Sequence, residues 1–161
     1  LKTIDRKWWV LAAVGTGSFM PALDGSVVNI ILPLIQNVFH SSVAAVEWIV
    51  TVYLLILSGF LLTFGRLGDL RRHKAVYVWG FGIFVASSAL CGASRSVVVL
   101  IICRGIQAIG GAMLASNAPA ILASNFPAEQ RGRALGLVSM MTYLGLTVGP
   151  SLGDWLAEVF S

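Results

Sequence analysis

Two charged side chains interrupt long apolar runs in this sequence: Asp24, within L-D-G-S-V-V-N-I-I-L-P (Leu23 to Pro33), and Arg104, within I-C-R-G-I-Q-A-I-G-G-A (Ile102 to Ala112). A charge inside an apolar segment of membrane-spanning length costs roughly 3 kcal/mol on insertion scales, so such residues usually carry function. An acid in that position can take up and release a proton. Arginine cannot shed its charge and needs a partner. Counted inward from the ends of their segments, the two residues lie at overlapping depths, so they can pair if the segments pack together. At 100° per residue, Gly17, Met20, Val28 and Ile31 lie near the face of Asp24, and Gln107 and Gly111 lie near that of Arg104. Two plainer readings stay open: a protonated Asp24 bonded to its own helix, and an Arg104 that snorkels to the interface.

Two further segments combine unusual residue types. G-R-L-G-D-L-R-R-H-K (Gly65 to Lys74) sets Asp69 among four bases, where it can pair locally or bridge to a neighbouring helix end. Gly145, Gly149 and Gly153 recur every four residues beside Pro150, leaving one helical stripe without side chains, where another backbone can approach and the helix can bend. Asn29, Gln36, Glu47, Asn117, Asp154 and Glu158 are weaker signals. His40 and His73 have no metal-ligand spacing around them. Without a phosphate-cradling loop, nucleophile elbow or paired-carboxylate site, an enzyme reading has no residues to rest on.

The elements that must position these residues follow from composition. Apolar residues make up 57% of the chain and charged residues only 11%, with mean hydropathy +0.86, so the solvent is a bilayer. About 20 helical residues cross a hydrocarbon core, and the sequence predicts five spans at about 8–35, 46–67, 75–93, 97–123 and 134–157. Pro21 and Pro33 can bend the first. Short loops join them, one carrying Arg71, Arg72, His73 and Lys74 and another running from Asn125 to Arg133. Cys91 and Cys103 fall inside apolar stretches as small packing residues.

The net charge of +4 sits in clusters between apolar runs, which argues for membrane topology and against nucleic acid. Nine bases (Lys2, Arg6, Lys7, Arg66, Arg71, Arg72, Lys74, Arg131, Arg133) fall on the side holding the N-terminus, and one, Arg95, on the other. The N-terminus is therefore expected in the cytoplasm. The chain starts without Met and stops soon after the fifth span, so it is expected to be a fragment or truncated copy of something larger.

Taken together, these segments resemble the signature motifs of the major facilitator superfamily, in particular its fourteen-span drug/proton antiporter branch of EmrB/QacA type. Leu23 to Pro33 resembles the span 1 motif, E-W-I-V-T-V-Y-L-L from Glu47 the opening of span 2, and Gly65 to Lys74 motif A. Arg104 to Ala112 is similar to motif B, and Gly145 to Gly153 to the antiporter motif C. The sequence departs from the pattern at Leu70, where a base is usual, at Arg72, where a turn glycine is usual, and at Asp154, which replaces the last glycine of motif C.

The resemblance implies an all-α integral membrane fold, a partial N-terminal six-helix bundle built as 3+3 inverted repeats, completed by the remaining spans of a larger transporter. It implies proton-coupled export of drugs or other small amphipathic molecules across the cell membrane, with the proton as coupling ion and no cofactor. Asp24 and Arg104 would be the proton-coupling pair. Gly65, Asp69, Arg71, Arg72 and Lys74 would form a gating loop, and Gly145, Gly149, Pro150 and Gly153 the antiporter helix. Met20, Asn29, Gln107 and Gly111 are the candidate lining of the substrate cavity. Another facilitator branch, a uniporter or nutrient symporter, is disfavoured by motif C. The alternative of a different class is a truncated membrane protein without transport of its own, acting as an interaction or assembly partner.

The charge bias predicts that a single cysteine at Ser42, in a cysteine-free background, reacts with a membrane-impermeant thiol reagent applied to intact cells. Labelling only after permeabilisation would reverse the orientation.

Overall fold

The computed structural model describes residues 2–160, and all of its elements are α-helices. They are α1 (Lys2–Val38), α2 (Val43–Arg71), α3 (His73–Gly92), α4 (Val97–Asn125) and α5 (Ala128–Phe160). All five are long and apolar enough to cross a membrane, because in hydrocarbon a helix satisfies every interior backbone group by itself. Ser42 and Ser96 cap α2 and α4, their side chains accepting from the N–H groups of Ala45 and Val99. Connections of one to four residues force successive helices to run antiparallel.

The helices overrun most of the spans read from the sequence, and two of the expected loops shrink. Of Arg71 to Lys74 only Arg72 stands outside a helix, and of Asn125 to Arg133 only Phe126 and Pro127 do. The physical reason is that polarity marks where hydrocarbon stops, whereas hydrogen bonding carries a helix on into the interface.

The bundle is organised around α4, the most buried helix, against which α2 and α3 pack, while α1 pairs chiefly with α5. Lipid offers little hydrophobic drive between apolar helices, so close backbone approach matters more. Gly80 of α3 and Gly110 of α4 supply one such approach: a Cβ built on Gly110 would lie 2.7 Å from the carbonyl oxygen of Gly80. The α1–α5 seam is the other. A Cβ on Gly145 would lie 2.7 Å from Phe19 O, one on Gly149 would overlap Ser26, and one on Gly153 would lie 2.9 Å from Ile30 Cβ. Ser26 Oγ donates across this seam to Leu146 O at 3.0 Å. Asp154, one residue beyond the stripe, is exposed rather than packed in the seam, because one helical step turns it away from α1. The expected conflict with close packing does not arise.

The α2–α3 turn is made by Arg72 alone, at φ 121° and ψ 118°. That region of backbone space favours glycine, since a Cβ crowds the neighbouring peptide. Arg72→Gly should therefore be more stable than Arg72→Ala by about 1 kcal/mol, because both remove the charge and only glycine relieves the backbone. Equilibrium unfolding of the two variants in mixed micelles checks this, and equal stabilities would place the strain elsewhere.

Candidate functional site

Arg104, Gln107 and Gly111 lie on one face of α4 at spacings of three and four, the spacing that stacks side chains along a helix. That face meets α1 at Asp24. Arg104 Nη1 donates to Asp24 Oδ2 and, at 2.7 Å, to Gln107 Oε1. Gln107 Nε2 in turn donates to Asp24 Oδ1 and to Ser88 Oγ of α3, each at 3.1 Å. Three helices thus share one closed polar network. Arg104 is 3% exposed and Gln107 fully buried, whereas the Asp24 side chain keeps 20% exposure. The acid, rather than the base, is the member that can reach solvent.

The other face of the guanidinium is covered by Tyr53 of α2, whose ring centroid lies 4.5 Å from Arg104 Cζ. A desolvated cation over an aromatic face gains roughly 2 kcal/mol. Arg104 Nε is the one buried side-chain polar atom left without a partner among the described residues. Its charge is met by the Asp24 carboxylate and the Tyr53 ring. Losing one partner of a buried pair typically costs about 3–5 kcal/mol, so the pair is a strong link between α1 and α4 while both members are charged.

Two clefts flank the network. The smaller, about 350 Å³, is lined by Asp24, Arg104, Val28, Ile31, Ser88 and Cys91 and runs toward the ends of α1 and α3 and the start of α4. The larger, about 490 Å³, lies toward the opposite ends, between α1, α2, α4 and α5. Gly17, Tyr53, Gly111, Leu114 and Val138 are among its mostly apolar walls, which also carry the hydroxyls of Ser18, Ser139 and Thr142.

The candidate cavity residues are therefore not all brought together. Gly111 lines the larger cleft, Gln107 belongs to the charged network, and Met20 packs half-buried against the core. Asn29 is exposed and lines neither cleft, since five residues past Asp24 put it about 140° around the helix.

Gly65, Asp69, Arg71, Arg72 and Lys74 stay together at the α2–α3 turn, the last four of them exposed. Asp69 pairs locally, its Oδ1 lying 3.2 Å from Nε2 of His73. Nδ1 of the same ring lies 2.8 Å from Oδ1 of Asn117, a fully buried residue of α4. Asn117 Nδ2 donates to Met113 O at 2.9 Å and to Phe64 O at 3.2 Å, tying α4 to α2 beside the turn. From the sequence, Tyr53 and Ser88 have no assigned role, and His73 reads only as a histidine without metal-ligand spacing. Tyr53 lies in the apolar segment that opens span 2, where nothing marks it as a partner of Arg104. Asn117 was visible as a polar residue within a span, but its partners come from another helix.

Comparison with known proteins agrees with this architecture. The family model for the Major Facilitator Superfamily matches residues 14–161. The riboflavin transporter RibZ of Clostridioides difficile (strain 630) is 36% identical over 157 residues, covering 98% of this chain and 34% of the relative. The tetracenomycin C resistance and export protein of Streptomyces glaucescens is 36% identical over 153 residues, 95% of this chain and 28% of the relative. The multidrug resistance protein Stp of Mycobacterium tuberculosis (strain ATCC 25618 / H37Rv) is 34% identical over 149 residues, 92% and 28% respectively. The chain spans about a third of the length of the curated relatives it matches. With a match over nearly its whole length and five helices of membrane-spanning length packed about a buried charged network, the chain belongs to the major facilitator superfamily.

Proposed function

We propose that this chain is the N-terminal portion of a proton-coupled exporter of drugs or other small amphipathic molecules, a multi-pass protein of the cell membrane with its N-terminus in the cytoplasm. The observation that carries the reading is the Asp24–Arg104–Gln107 network, an acid with residual exposure bonded to a buried, permanently charged base. Charged, Asp24 holds α1 on α4. Protonated, it leaves Arg104 without its counter-charge, so the α1–α4 contact loosens and the bundle has two arrangements of different proton affinity. A molecule that binds one arrangement better than the other shifts that balance, and the two ligands drive the transporter in opposite directions across the membrane.

The larger cleft supports the substrate class. Its walls are mostly apolar with a few hydroxyls, a lining suited to an amphipathic body rather than to a strongly charged one. Two of the relatives named above are described as drug resistance or export proteins, which agrees with export; the third is described as a riboflavin transporter. The α1–α5 seam supports a moving part, because at Gly145, Gly149 and Gly153 α5 meets α1 without side chains of its own to interlock, so the two helices can slide or separate, with Pro150 interrupting the α5 hydrogen-bond ladder beside them.

Asp24→Asn keeps nearly the same volume and cannot titrate. In the full transporter containing this segment, reconstituted in proteoliposomes with ethidium as probe, this variant should lose export driven by an imposed pH gradient by about 100-fold, the range typical of a lost acid–base group. Insertion into the membrane should be unaffected. Export by Asp24→Asn at the unsubstituted rate would reduce Asp24 to a structural residue.

A further inference from the structure

The two clefts approach the charged network from opposite ends of the bundle, and they do not share it. Asp24 and Arg104 line the smaller cleft and are absent from the walls of the larger one. Tyr53 is the side chain that touches both sides. One face of its ring lies against Arg104, and the residue is also part of the wall of the larger cleft. It is 7% exposed, so the ring is packed between Arg104 and the wall of the larger cleft. Its position is set by α4 as well. A Cβ on Gly111 would lie 2.9 Å from Tyr53 Oη, so a glycine at 111 is what lets the hydroxyl lie across α4 at this depth.

We propose that Tyr53 is a positioning residue that seals the Asp24–Arg104 pair from the larger cleft while its ring is in place, so that the pair takes up protons through the smaller cleft and opens to the larger one when an occupant there moves the ring. The inference rests on the reading of Asp24 as the proton site. Its physical content is steric and electrostatic. An amphipathic molecule pressing on the Tyr53 side of the larger cleft must either leave the ring in place or shift it off the guanidinium. Shifting it removes the aromatic face from a buried cation whose Nε already lacks a partner. Arg104 then leans harder on Asp24, and with the ring displaced the proton leaves Asp24 into the larger cleft, on the side opposite to the one it entered from. The coupling needs no direct contact between the exported molecule and the acid.

The seal is tested by proton flux without any exported molecule, in the full transporter reconstituted in liposomes containing pyranine under an imposed pH gradient. Tyr53→Leu, which keeps an apolar side chain but loses the ring, should raise flux about ten-fold over the unsubstituted protein, while Tyr53→Phe should stay within about two-fold. Gly111→Ala, which crowds the hydroxyl and displaces the ring without removing it, should raise flux by about two- to five-fold. If Tyr53→Leu does not purify as a monodisperse species, Gly111→Ala decides the matter. Baseline flux in the variants that fold would overturn the seal, whatever Asp24→Asn does to export. Adding Asp24→Asn to Tyr53→Leu should return flux to baseline. A leak persisting in that double variant would show that protons bypass Asp24, and would overturn the proton-site reading together with the inference built on it.

Discussion

A charge that cannot be neutralised, held inside a helix bundle of membrane-spanning length, is the constraint to which the rest of this structure answers. Arg104 is 3% exposed and keeps its charge in any state of the protein. It must therefore be surrounded by groups that compensate it: a carboxylate from α1, a side-chain amide from its own helix and an aromatic face from α2. Each comes from a different direction, so satisfying one side chain fixes the mutual placement of three helices. Ser88 extends the same network to α3 through Gln107. Among the described residues only α5 contributes nothing to it.

That exception has a structural meaning. α5 is held to α1 by backbone proximity along Gly145, Gly149 and Gly153, with one hydrogen bond from Ser26, and not by charge. Contacts of this kind depend on shape and are indifferent to protonation. The bundle thus combines a joint whose strength changes with the charge state of Asp24 and a joint whose strength does not. α1 belongs to both, and any change at Asp24 is transmitted along a helix already bound to α5.

The α2–α3 turn is built on a different principle. Its exposed charges are cheap in water, and its order comes from His73, which sits between Asp69 and Asn117. One imidazole ring thus joins a surface acid of α2 to a buried amide of α4, whose nitrogen is held by the carbonyl oxygens of Met113 and Phe64. The strained backbone at Arg72 is held by these bonds and by the packing of α4 against the turn.

Much of this molecule is legible in one dimension. Hydropathy over about 20 residues is a local property, so five membrane-crossing helices follow from the chain alone. The cost of a buried charge is local too, which is why Asp24 and Arg104 stand out before any fold is known, and the four-residue recurrence of glycine marks a packing stripe for the same reason. Partners are not local. That α1 lies against α5, that Tyr53 covers Arg104, that Asn29 turns away while Asp154 escapes its seam, and that Asn117 reaches the α2–α3 turn all depend on how helices rotate and cross. Those rotations are chosen by satisfying every buried polar group and every close backbone approach at once. Which residues demand a partner is written in the chain; which partner meets the demand emerges only when the helices pack, because in a bilayer the choice rests on geometry between segments and no longer on the apolar character they all share.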